Sequence, residues 1–395
     1  MIRPLPWYQL RRLDWIMVIV VILLLCVGIA FIFSAGYAGN NQMAIQLYCK
    51  QMVWAFIGMM LFLGFAMIDY HRWINLSWWL YGAGMVLLVL VLIPQIGCKI
   101  YGARRWIQII GIRILQPSEL MKLAVIILLA RLFGWPGRNI RRVRLVILGL
   151  VIVIVPMVLI IKQPDLGTAL IFLPVLACVM FVAGVPLRVL GVLLTVGMLL
   201  CLIILGFILV PKKLGWNESR QEQALKLIGM NSYQSDRITV FLNSDLDPLG
   251  AGWNKAQSQI AVGSGRAWGK GYLNGTQNIL GFLPRTVAPN DFIFSIIAEE
   301  TGFAGAVTAL CLFAVLIGSI MRAAVKASDK TGRLLCVGIM TMLFCHIFIN
   351  VAMAIGLVPI TGTPLPLISY GGTFMVSAMS ALGIVQSVFI RGDWR

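Results

Sequence analysis

Acid is scarce in this chain. Its 395 residues hold 14 Asp and Glu against 32 Lys and Arg, a formal net charge of +18, and only two histidines, His71 and His346. Two histidines so far apart exclude a His-based metal cage and a hydrolytic triad. Cysteine offers no framework either. Cys26, Cys178, Cys201, Cys311, Cys336 and Cys345 fall in apolar runs, where a thiol serves as a small apolar side chain, and there is no CxxC spacing. Cys49 and Cys98 can pair only if their loops meet. Short-period repeats, heptads and low-complexity tracts are also absent. Charged residues make up 12% of the chain and hydrophobic residues 60%, which excludes a soluble globular protein.

What is present is a series of apolar runs long enough to cross a hydrocarbon core. Spans are expected over Asp14–Ser34, Gln51–Ile68, Ser77–Pro94, Ser118–Phe133, Val143–Ile161, Leu166–Ala183, Leu187–Val210, Asp291–Met321, Arg333–Leu357 and Leu367–Ile390. The expected fold is an all-α polytopic membrane protein of about ten transmembrane helices. It forms one membrane domain over residues 1–395, with a large extracytoplasmic loop at 211–290 between helices seven and eight. No small-residue cleavage site follows the long first run, so a cleavable signal peptide is not expected. One set of loops carries Arg11, Arg12, Arg72, Arg131, Arg138, Arg141, Arg142, Arg144, Arg188, Arg322, Lys326, Lys330 and Arg391. The positive-inside rule makes this set cytoplasmic, and with it both termini, at a bacterial cell membrane.

The outer face is basic as well, through Arg104, Arg105, Arg113, Arg220, Arg237, Lys255, Arg266, Lys270 and Arg285. Nucleic acid is no partner on that side of a membrane. Membrane lipid headgroups or a phosphorylated lipid substrate fit the charge. A loop as long as 211–290 is unusual unless it is functional. Ser219-Arg-Gln-Glu222 is a capping-box pattern that predicts a short surface helix. Further on, Gly269-Lys-Gly-Tyr-Leu-Asn-Gly-Thr-Gln277 lets backbone approach a ligand closely.

Asp291 stands where this loop meets the next apolar run, in Leu283-Pro-Arg-Thr-Val-Ala-Pro-Asn-Asp-Phe-Ile-Phe294. A carboxylate at a membrane boundary beside basic loops is placed to work on a substrate that is half lipid and half polar. The alternative reading is a helix N-cap, for which Asp is favoured. Glu119 and Lys122 share a helix face inside a span, either as a mutual pair or lining a cavity. Asp165 follows Gln163-Pro164 at a helix entry, where a carboxylate is favourable. Trp106 reads either as an interfacial anchor or as a stacking residue.

Four blocks together resemble the SEDS family, the RodA/FtsW/SpoVE polytopic proteins of bacterial cell-wall synthesis, with the closer likeness to RodA. They are Gly102-Ala-Arg-Arg-Trp-Ile with Gln116-Pro-Ser-Glu-Leu-Met-Lys122; Gln163-Pro-Asp-Leu-Gly-Thr168; the outer loop running into Asp291-Phe-Ile-Phe and Ala298-Glu-Glu300; and Pro364-Leu-Pro-Leu-Ile-Ser-Tyr-Gly-Gly372. The resemblance implies a peptidoglycan glycosyltransferase that polymerises lipid II, a disaccharide-pentapeptide on undecaprenyl diphosphate, in cell elongation and shape maintenance. It makes Asp291 the catalytic residue and gives functional weight to Trp106, Gln116, Glu119 and Lys122. Arg104, Arg105, Arg237 and Lys270 join these as candidate substrate-binding residues on the basic outer face. One departure is that the segment before Asp291 is about two residues longer than the family's pattern and lacks its Glu and His.

The chemistry fits. A carboxylate can take the proton of an acceptor hydroxyl, and a diphosphate is its own leaving group, so one inverting displacement suffices. Arg and Lys, or Mg²⁺ or Mn²⁺, can neutralise that diphosphate, although three or more acids would be expected around a preformed metal site. The chain has no domain able to crosslink peptides, so the resemblance implies a class B penicillin-binding protein transpeptidase as partner. Two rival readings are a lipid II transporter (flippase), for which repeat symmetry between the halves is expected and not seen, and a non-catalytic scaffold for the transpeptidase, for which Asp291 would be dispensable.

Overall fold

The computed structural model describes residues 11–37, 41–100, 103–109, 112–137, 143–213, 216, 217, 220, 221, 225, 232–243, 247, 250–284 and 287–392. Ser219 and Glu222, the two ends of the capping-box pattern, and Asp245 and Arg285 lie outside these residues.

The apolar runs become α1 (Trp15–Tyr37), α2 (Asn41–Met67), the short α3 (Tyr70–Asn75), α4 (Ser77–Leu92), α5 (Pro117–Gly134), α6 (Val143–Lys162), α7 (Leu166–Ala183) and α8 (Leu187–Lys213). In the outer loop stand α9 (Ser232–Leu242), α10 (Ala251–Ser264) and α11 (Thr276–Ile279). The chain closes with α12 (Ile293–Lys326), α13 (Lys330–Ala354) and α14 (Gly372–Ile390). Among the described residues, 8 helices are long and apolar enough to cross a membrane. Two further expected spans are α4, which is 16 residues long, and α5, which carries Glu119, Lys122 and Arg131. Charge is tolerated in α5 because the helix sits inside the bundle. All its residues but Leu120 and Arg131 are buried, against α4, α6, α7, α13 and α14. Helix α14 is buried almost throughout. By contrast α8 stands at the edge, its apolar side chains largely exposed and directed to lipid.

Between α4 and α5 the chain forms a three-stranded antiparallel sheet of β1 (Gly97–Ile100), β2 (Ala103–Ile109) and β3 (Ile112–Leu115), in the order β1-β2-β3. The sequence reading expected no strands here. Isoleucine-rich runs separated by Gly102 and Gly111 favour a pleated meander. The β1–β2 register shifts at Arg105, between Trp106 opposite Cys98 and Arg104 opposite Lys99, so Arg105 occupies a β-bulge.

A kink divides α12 at Gly302, whose φ is 67°. A Cβ there would meet Gly269 N at 2.3 Å, so both the conformation and the close approach require glycine. The kink frees backbone groups that a membrane interior would leave unsatisfied. The loop after α10 takes them up. Lys270 N donates to Glu299 O (3.1 Å) and Gly271 N to Glu300 O (3.0 Å), while Phe303 N donates to Arg266 O (2.8 Å) and Ala304 N to Ala267 O (3.0 Å). The glycine-rich outer loop is thereby stitched to the bundle.

Candidate active site

Asp291 lies in the turn immediately before α12, outside the membrane span that begins at Ile293. Its own amide donates to Val287 O at 2.8 Å, closing the turn. The Pro364–Gly372 block holds the same turn from a second side. Tyr370 N donates to Pro289 O (3.0 Å) and Ser369 Oγ to Asn290 O (2.6 Å), and Ser369 Oγ in turn accepts from Leu365 N (2.8 Å). From α13, the Asn350 amide donates to Asp291 O at 3.0 Å and to Thr363 O at 2.8 Å. The backbone of this turn is therefore fixed from three directions.

The Asp291 carboxylate is different. Among the described residues no donor holds it in a hydrogen bond, and Gly362 stands close by, where an added Cβ would sit 3.4 Å from Oδ2. Burial pushes its carboxyl up to about 6, against the pull of Arg237 on α9 and Arg105 on β2 and with a smaller push from Asp165. A carboxyl near 6 is suited to receive a proton at neutral pH.

Arg105 is held in place by the α6–α7 turn. Its guanidinium donates to Gln163 O (3.4 Å) and Pro164 O, and it pairs with Asp165 at 3.8 Å. Asp165 also caps α7, accepting from Thr168 N (3.4 Å) and Thr168 Oγ1 (2.9 Å). Gln116, the residue before α5, donates to Asp165 Oδ2 at 3.4 Å. One turn along α5, Glu119 and Lys122 pair at 3.0 Å with only 3% and 2% of their side chains exposed. Lys122 Nζ also lies 2.6 Å from His346 Nε2 on α13, which accepts its proton. Of the two readings of this pair, the contacts show the mutual ion pair, which His346 joins to α13.

Three candidates fall elsewhere. Arg104 and Trp106 flank the bulge at Arg105, opposite Lys99 and Cys98, and among the described residues neither is hydrogen-bonded to Asp165 or Asp291. Lys270 reaches Glu299 Oε1 and Thr276 Oγ1, at 2.6 and 2.5 Å, rather than the Asp291 carboxylate. Gln277 N donates to the same Glu299 oxygen (3.0 Å), and Glu300 accepts from Ser34 Oγ and Leu273 N. Two buried carboxylates thus organise the Gly269–Gln277 loop. Asp247 likewise accepts from Ala251 N at 2.7 Å, beside the start of α10.

The donor set does not fit a resident divalent ion. Among the described residues no three His, Cys, Asp or Glu stand together. The oxygens of Asp165 are already engaged by Thr168, Gln116 and Arg105. Sequence reasoning passed over His346, as too isolated for a metal or triad, and Asn350. The available signal was a polar side chain inside an apolar run.

Comparison with known proteins agrees with this architecture. The family model for FtsW, RodA and SpoVE, described as cell cycle proteins, matches residues 14–391. A curated relative, the peptidoglycan glycosyltransferase RodA of Treponema pallidum, is 34% identical, with 96% of this chain and 98% of that protein aligned. The peptidoglycan glycosyltransferase MrdB of Escherichia coli K12 is 36% identical over 76% of this chain and 75% of its own length. A solved chain from a peptidoglycan synthase complex superposes with a TM-score of 0.73 at 30% identity, covering 95% of this chain and 97% of that one. The rod shape determining protein RodA of Thermus thermophilus superposes at 0.65, with 28% identity and 95% and 96% covered. The chain belongs to the FtsW/RodA/SpoVE family of cell cycle proteins, the SEDS family its sequence blocks resemble.

Proposed function

We propose that this chain, a peptidoglycan glycosyltransferase of the multi-pass membrane class, polymerises lipid II with Asp291 as its general base. The observation that carries this reading is a carboxylate in a rigid turn, free of hydrogen bonds among the described residues and under the influence of two arginines. The acceptor sugar's 4-hydroxyl is a poor nucleophile. Asp291 takes its proton as the oxygen attacks the anomeric carbon of the donor, the bond to diphosphate breaks, and the α-linked donor becomes a β-linked product. Arg105 and Arg237 neutralise the charge that develops on the departing diphosphate. Among the described residues no acid cluster would hold Mg²⁺ or Mn²⁺, so an assisting ion would be held by the substrate's own phosphates.

Both termini face the cytoplasm, where the basic loops lie, and the Asp291 turn faces outward. A class B penicillin-binding protein would crosslink the strand as it emerges; the likeness to a chain from a peptidoglycan synthase complex supports such a pairing. The deciding experiment is polymerisation of labelled lipid II by purified protein in the presence of moenomycin, which targets the other glycosyltransferase class. Polymer is expected from the native chain and none from Asp291→Ala at equal abundance. Full activity in Asp291→Ala would sink the assignment, and no polymer from the native chain would favour a transporter or a scaffold.

A further inference from the structure

We propose that Asn350 is the positioning residue for Asp291, tying the carboxylate's own backbone to the segment it faces. This rests on the reading of Asp291 as general base. Asn350 lies in α13, is 0% exposed, and is surrounded by apolar bundle. A buried amide in a membrane helix is costly unless its hydrogen bonds are used. Its Nδ2 spends both protons at this site, one on the carbonyl of Asp291 and one on the carbonyl of Thr363.

Those two carbonyls belong to segments 72 residues apart in the chain, and nothing in local sequence brings them together. Thr363 follows Gly362, a backbone element close to the carboxylate, where φ is +75° and an added Cβ would stand 3.4 Å from Oδ2. The amide therefore sets how far the carboxylate stands from its wall. The other supports of the turn act on Pro289 and Asn290, at the residues before. Asn350 alone among the described residues binds both Asp291 and the facing segment. A general base loses efficiency steeply with misplacement, about a hundredfold for an error of about 1 Å.

The test compares Asn350→Leu, which keeps the volume and removes both donors, with the native chain and with Asp291→Asn. Turnover and KM for lipid II are measured across pH 5 to 9, on protein that elutes as a single monodisperse species. Turnover in Asn350→Leu is expected to fall ten- to a hundredfold with KM changed less than twofold. The acid limb of its pH profile should move down, towards the ordinary carboxylate range, as the loosened turn lets Asp291 reach water. If Asn350→Leu does not fold, Asn350→Asp, of the same shape, is measured at pH 7 and above and judged by turnover and KM alone. Native turnover, a loss confined to KM, or an unmoved acid limb would each overturn the positioning role. An active Asp291→Asn would instead overturn the general-base reading beneath it. An inactive Asp291→Asn beside a normal Asn350→Leu overturns the positioning role alone.

Discussion

Asp291 and the Glu299–Glu300 pair lie on one stretch of chain, roughly two helical turns apart, and the protein treats them oppositely. Glu299 accepts from Lys270 and from Gln277 N, and Glu300 from Ser34 and Leu273 N. Glu299 Oε1 and both oxygens of Glu300 are occupied in holding the Gly269–Gln277 loop, while Glu299 Oε2 has no hydrogen-bond partner among the described residues. At Asp291 the backbone is occupied, through Val287, Asn350 and its neighbours' bonds to Ser369 and Tyr370, while the carboxylate is left open. A carboxylate that builds structure is held by donors from the segment it ties down. One that receives a proton needs lone pairs to spare and a fixed frame behind them.

The sharpest way to break this contrast is to move each carboxylate without removing its charge. Asp291→Glu pushes the base outward by one methylene and is expected to cost about a hundredfold in turnover, measured as polymer formed per minute at saturating lipid II. Glu299→Asp should cost less than tenfold, since its task is to hold a loop. Glu299→Gln unpairs Lys270 and is expected to lower stability by about 1–3 kcal/mol, discounted because the lysine is partly exposed. A thermal melt in detergent would read this out, and an unchanged midpoint would deny the loop-holding role.

The pH dependence sharpens the same comparison. With Asp291 near 6 and required in its ionised form, turnover should fall about tenfold for each pH unit below about 6. Arg237 pulls this carboxyl down, so Arg237→Ala should raise it and move the acid limb to higher pH. A downward move would contradict the placement of that arginine. The smallest expected effect concerns metal. Adding Mg²⁺ to substrate-free protein should leave its melting temperature unchanged, because no acid cluster stands among the described residues, whereas a clear rise would reveal a site.

The spans and the catalytic candidate were legible in the sequence because length, hydropathy and a lone acid at a boundary are local signals. Even the buried α5 was readable, as an apolar run bearing a Glu–Lys pair at three-residue spacing. What was not legible is long-range. Arg104 and Arg105 are equivalent as letters, and only the folded sheet, bulged at Arg105, sets that one against Asp165. Lys270 looks like a phosphate ligand until the kink at Gly302 brings Glu299 against it. Asn350 becomes informative only when residues 291 and 363 are seen on either side of it.

The most direct measurement is made on Asp291→Asn, with polymerisation and thermal stability read on one preparation. The sign follows from burial. A carboxyl raised on folding contributes stability that is full below its ordinary value of 3.8 and is lost as pH rises through about 6. The ionised group is therefore a burden to the fold at neutral pH. Asp291→Asn should be inactive on lipid II and more stable than the native chain at pH 7.5, by on the order of 1–3 kcal/mol. Polymerisation at the native rate, or an inactive protein that melts earlier than the native one, would contradict a carboxylate kept open for chemistry at the expense of stability.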